Sequence, residues 1–174
     1  MRDSMHRRRK PAYKSCSFTG HRPQKLPFGE NERDPRCVAF KQDIHNAIEE
    51  LIGQGYARFV SGGARGFDTY AAEAVLDLKE SYPWISLEMV SPYDEQTARW
   101  NAEDQMRHER LFAAADVLTA TGHEYTRGCL YRRNRYLVDT ADMLLAAYNG
   151  QPGGTAMTVS YAHDQGVPVQ VIAV

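Results

Sequence analysis

The chain has 174 residues and a formal net charge of −1, the size of one domain and enough to bury a substantial core. No apolar run approaches the ~20 residues of a membrane span, and none follows the basic start as a secretory signal requires, so a cytoplasmic protein with no membrane partner is expected. Three cysteines, Cys16, Cys37 and Cys129, are odd in number and lack C-x-x-C spacing, which argues against a disulfide framework and against a zinc cage; no metal site is expected.

The near-zero charge conceals two unlike pieces. Residues 1–14 carry six Lys/Arg and one Asp, leaving 15 basic and 21 acidic residues in the other 160. A basic, disordered arm is expected over 1–14 and a single, mildly acidic domain over 15–174. Residues 15–19 read as a short strand leading into Gly20, and 20–37, rich in Pro, Gly and charge, as a long loop. Phe40, Ile44, Ile48, Leu51 and Ile52 share one helical face, stopped by Gly53 and Gly55. Ala57–Ser61 is the second strand, and Tyr70, Ala71, Ala74, Val75 and Leu78 give the second helix. Ile85–Val90 is a third strand and 95–115 a weakly amphipathic helix with Gln96 and Trp100 near its start. Asp116–Ala120 is a fourth strand, Leu130–Ala141 a helix with an Arg-rich outer side, and Met143–Ala147 a fifth strand. Gly153 and Gly154 open a last helix to about Gln165, and Val167–Val174 forms a terminal strand. This alternation predicts a three-layer, Rossmann-like α/β domain with a mainly parallel sheet and helices on both faces.

In such a sheet, ligands bind beyond the carboxyl ends of the strands, where helix N-termini favour anions. Three segments lie there. Gly20-His21-Arg22 combines close backbone approach with a guanidinium fork suited to phosphate or carboxylate, although a turn with a packed His and a solvated Arg fits as well. Ser61-Gly62-Gly63-Ala64-Arg65-Gly66-Phe67-Asp68 matches only the end of a dinucleotide fingerprint and lacks the Lys-Ser/Thr of a P-loop. Its glycines still offer N–H donors ahead of a helix. Asp68 is placed to cap that helix, with a ribose hydroxyl as its alternative partner. Gly153-Gly154-Thr155 repeats the strand–glycine–helix joint, Thr155 being suited to a cap or to a phosphate. Arg127, Arg132, Arg133 and Arg135, interleaved with Tyr125, Tyr131 and Tyr136, read either as a solvated helix face or as phosphate and single-strand contacts. No nucleophilic triad can be assembled.

The segments TGHRP (19–23), SGGARGFDTYAAEA (61–74), SPY with Gln96 and Trp100, RNRYLVDTADMLLAAYNG (133–150) and GGTAMTVSYA (153–162) together resemble the YpsA-type branch of the SLOG superfamily. Its relatives include the LOG phosphoribohydrolases and the DNA-processing protein DprA. The resemblance implies a pocket for a nucleotide or an ADP-ribose-like ligand, lined by Gly20, Arg22, Ser61, Gly62, Gly63, Gly66, Asp68, Arg133, Asn134, Gly153, Gly154 and Thr155, with His21 inside the first motif. LOG enzymes use a Glu within P-G-G-x-G-T-x-x-E. Here Thr158 or Ser160 stands at that place, so a hydrolase would need Asp68 or Glu73 instead.

The expected function is thus a sensor or regulator binding a small anionic nucleotide-type ligand, with no certain cofactor. An enzyme cleaving the N-glycosidic bond of a nucleoside monophosphate is the alternative. A DprA-like single-stranded DNA binder is a further one, which the acidic body disfavours. A homo-oligomer is compatible with the fold class, but the sequence points to no interface.

Overall fold

The computed structural model describes residues 13–174; residues 1–12 of the expected basic arm lie outside them. Six strands form one all-parallel sheet in the order β4-β3-β2-β1-β5-β6: β1 Lys14–Gly20, β2 Tyr56–Ser61, β3 Ser86–Ser91, β4 Val117–Ala120, β5 Met143–Ala147 and β6 Val169–Ile172. Between them run α1 Pro35–Gly53, α2 Phe67–Ser81, α3 Ala102–Ala114, α4 Cys129–Asp139 and α5 Gly154–Asp164. The sheet advances outward from β1 to β4, then returns to the other side of β1 for β5 and β6. Right-handed crossovers therefore place α1, α2 and α3 on one face and α4 and α5 on the other. The packing agrees, with α1 against α2, α2 against α3, and α4 against α5. This is the expected three-layer, Rossmann-like architecture.

The central strands are buried on both faces, so neighbouring residues enter opposite cores. Leu145 and Ala147 join Phe18, Phe59, Phe67 and Met89 under α1 and α2. Leu144 and Ala146 pack with Val138, Val159 and Ala162 under α4 and α5. On that same face Val60 and Val90 meet Leu137.

Several boundaries differ from the sequence reading, each for a local reason. Lys14, assigned to the arm, pairs with Tyr56 in the sheet. Helix α1 starts at Pro35, ahead of its apolar stripe, because Asp34 caps it by accepting from Arg36 N at 2.9 Å and Pro35 occupies its first turn. The preceding loop is anchored by a 3-10 turn at Pro23–Lys25 and by the buried side chains of Leu26 and Phe28. Helix α3 begins only at Ala102, where Asn101 accepts from Asp104 N at 2.8 Å; residues 95–100 are turns. Strand β6 is shorter than the run 167–174.

Two glycines mark where backbones meet too closely for a side chain. At Gly20 a Cβ would lie 2.6 Å from the Cβ of Phe67, which is fully buried. Gly66 has φ +86°, and a Cβ there would stand 2.6 Å from the His21 carbonyl oxygen, to which Phe67 N donates at 3.2 Å. The end of β1 and the start of α2 are thereby locked together. Gly20→Ala is expected to destabilise the fold by at least about 1–3 kcal/mol through overpacking. Gly128→Ala, where a Cβ meets nothing within 4 Å, should stay within about 0.5 kcal/mol. Urea unfolding of the two variants measures both.

Candidate functional site

The chain reverses its direction of travel between β1 and β5, and a pocket opens there at the carboxyl edge of the sheet. Its volume is about 470 Å³. Of the thirteen residues expected at a ligand site, eight line it: Gly20, His21, Arg22, Asp68, Arg133, Asn134, Gly154 and Thr155. The other five do not line it. Ser61 is fully buried, its hydroxyl donating to the Asp68 carbonyl at 3.0 Å and accepting from Gly63 N at 3.2 Å. Gly62 lies under Arg133, Gly63 backs onto Phe112 and Met89, Gly66 onto His21, and Gly153 onto Lys25.

Arg133 is the most unusual of these residues. It is 4% exposed, on a helix that the sequence reading gave an Arg-rich outer side. Its Nη1 donates to the Gly62 carbonyl at 2.6 Å and its Nε to Asn134 Oδ1 at 3.0 Å; both acceptors are neutral. Burial pulls its pKa down while the nearby Asp68 charge pulls it back up. The rest of the Arg/Tyr set lies away from the pocket. Arg132 donates to Thr121 O, Arg135 lies over the rings of Tyr131 and Tyr161, and Tyr136 donates to Glu88.

Asp68 faces the same pocket at 6% exposure. It does not cap its helix, whose N-cap is Gly66. Instead Oδ2 reaches back to accept from Ala64 N at 3.3 Å, closing the glycine loop, and Oδ1 is buried without a partner. Burial raises its pKa to about 6 against the opposing pull of Arg133, the Ala64 hydrogen bond and Arg22. Glu73, the other carboxylate considered, lies outside the pocket and is held by Arg107. Thr158 is buried and donates to Gly154 O at 2.9 Å.

On the opposite wall α5 begins at Gly154, and no side chain caps it, so Thr155 turns to the pocket rather than to a cap. Lys25 donates to Pro152 O at 3.1 Å beside this helix start, and Arg22 stands exposed in the same loop. His21 is 2% exposed, and its Nε2 accepts from Asn149 N at 3.1 Å. Sequence reasoning missed Lys25, Gln24, Leu130 and Leu137 at this site. The last two carried a signal: Leu130, Arg133, Asn134 and Leu137 fall at i, i+3, i+4 and i+7, one helical stripe with polar residues at its centre.

A family model described as the YspA SLOG family matches residues 16–173. The UPF0398 protein of Bacillus pumilus (strain SAFR-032) is 27% identical over 144 residues, covering 82% of this chain and 77% of its own. The SPbeta prophage-derived protein YoqJ of Bacillus subtilis (strain 168) is 29% identical over 143 residues, covering 75% and 84%. Among solved structures, DNA processing protein A from Helicobacter pylori superposes with a TM-score of 0.65 at 19% identity, over 92% of this chain. DprA from Streptococcus pneumoniae gives 0.65 at 16% over 91%. The chain spans 65% and 50% of those two proteins, and the likeness to them is one of fold.

The raised pKa of Asp68 has a consequence for stability. Between its ordinary value of 3.8 and about 6, the folded state binds more protons than the unfolded one, so stability falls as pH rises through that window. The loss amounts to about 3 kcal/mol at most. Asp68→Asn, which does not titrate, should lack this fall, so its stability relative to wild type rises from pH 4 to pH 7. Urea midpoints of both proteins across that range measure the difference.

Proposed function

The chain belongs to the YspA SLOG family, and we propose that its pocket binds the phosphate of a nucleotide or nucleotide-derived, ADP-ribose-like ligand. On this reading the protein is a ligand-binding sensor or regulator. The observation that carries the proposal is Arg133. A guanidinium taken out of water is costly unless an anion pairs with it, and this one has only neutral hydrogen-bond acceptors. A phosphate in the pocket supplies that anion through charge-assisted hydrogen bonds. Arg22 and Lys25 add positive charge at the same cavity, and the uncapped N-terminus of α5 offers free N–H donors.

Asp68 supports a second reading, hydrolysis of an N-glycosidic bond. A buried carboxyl with a free oxygen and a pKa near 6 has the properties of a general acid or base. Free base released from a nucleoside monophosphate, and lost in Asp68→Asn, would be its signature. A single-stranded DNA reading draws on the DNA-processing relatives, one of which is described by its single-stranded DNA binding mode. It gains less support from this chain, because Arg133 is buried in the pocket and Tyr136 is tied to Glu88, which leaves the Arg/Tyr set without one continuous surface.

Thermal unfolding with AMP, ADP, ADP-ribose and NAD tests the leading reading. A ligand at 100 times its Kd stabilises by about 2.7 kcal/mol, which for a chain of this size is a Tm rise of roughly 5–10 °C. Arg133→Met should fold and lose most of that rise. No shift with any of the four at millimolar concentration would defeat the proposal.

A further inference from the structure

A second and larger groove, of about 790 Å³, lies at the same carboxyl edge of the sheet. It is formed by the segments that follow β3 and β4. They are clasped together: Asp94 N donates to His123 O at 3.0 Å, His123 Nδ1 lies 3.0 Å from Asp94 Oδ1, and the rings of Tyr93 and Tyr125 meet edge to face at 5.2 Å. Tyr125 is 71% exposed, an open aromatic surface with no core to serve.

One lining residue of each cavity donates to the same carbonyl. Gly62 O accepts from Arg133 on the pocket side at 2.6 Å and from Gln96 Nε2 on the groove side at 3.4 Å. The two donor nitrogens therefore lie within about 6 Å of each other. At that junction the Gln96 amide oxygen is buried without a partner. The two cavities have opposite electrical character. The pocket carries Arg22, Lys25 and Arg133 against one carboxylate, Asp68. The groove carries Asp94, Glu95 and Glu124 against one arginine, Arg99.

We infer that the groove is the base subsite for a nucleotide whose phosphate occupies the pocket, and that it favours bases bearing an exocyclic amine. This rests on the phosphate reading given above. Charge sets the direction of the ligand: groove carboxylates repel a phosphate, whereas Arg133 attracts it. A base is flat and uncharged, and any base can stack on a tyrosine ring. Carboxylates accept hydrogen bonds from exocyclic amines, as they do when proteins read cytosine N4. Arg133 and Gln96, one lining each cavity, meet at the Gly62 carbonyl, and the inference places one mononucleotide across that junction.

Calorimetric titration of the full chain with AMP, IMP and ribose 5-phosphate separates the subsites. AMP should bind about tenfold or more tightly than ribose 5-phosphate, the increment expected of one stacked base, and IMP, which lacks the amine, should fall between them. Tyr125→Ala, at an exposed position, should weaken AMP severalfold towards the affinity of ribose 5-phosphate and leave the latter unchanged. Equal affinity for AMP and ribose 5-phosphate in the wild type, or equal weakening of both by Tyr125→Ala, would overturn the base subsite and leave the phosphate site standing. IMP binding as tightly as AMP would overturn the amine preference. Silence with all three would remove the phosphate site and the subsite with it.

Discussion

A guanidinium held against a backbone carbonyl organises this end of the molecule. Arg133 rises from a helix on one face of the sheet and bonds Gly62 in the loop that starts a helix on the other. The contact works only because residue 62 has no side chain, since a Cβ would stand 2.7 Å from Nη1. Asp68, one turn further along the same joint, closes the loop through Ala64 and supplies the nearest opposing charge. One buried cation thus bonds across the sheet edge from one helical layer to the other, with a buried acid beside it. An arrangement of that kind is rarely the most stable use of core volume. It makes physical sense where a charged guest completes it.

The approach to the pocket from the β1 side is fixed by a different device. The loop between β1 and α1 is pinned by Glu30 to Arg65 and by Glu32 to Lys41 and Arg107, while Arg107 also holds Glu73 on α2. Tyr70 lies beneath both Lys41 and Arg107 as an aromatic platform. This cluster joins the loop to α1, α2 and α3 together. Arg22, Gln24 and Lys25 therefore project from a braced segment, despite the length of the connection. Pairs that stay partly open to water contribute little singly; a connected set acts mainly by fixing geometry.

Much of this was legible in the residues. Alternating apolar clusters with Gly or Pro joints gave the parallel three-layer architecture, and the segments at strand ends marked the edge where both cavities open. The function of individual residues within those segments was harder to read. Gly62, Gly63 and Gly66 look like a phosphate cradle but are glycines because other groups press against them. Arg133 sits in an arginine run that resembles a solvated face, and only its place between Leu130 and Leu137 separates it from Arg132 and Arg135. The start of α1 was signalled by Asp34-Pro35, a local cue that lay outside the apolar stripe. Tertiary contacts, which no window along the chain contains, decided the remainder.

The strand order also dictates when these cavities can exist. The central strand β1 is the first to be synthesised, yet one of its two neighbours, β5, arrives near the end; Ser15 N and the Asp142 carboxylate that receives it are 127 positions apart. Until then the ribosome has delivered a sheet with an open flank at its middle. Pairings so distant along the chain close slowly and leave strand edges exposed in the meantime. Arg133 and Gly154 belong to this late portion. The half of the pocket made from residues 18–68 must therefore wait, unclosed, for its counter-wall, and the cavity is complete only once residues 154 and 155 have emerged.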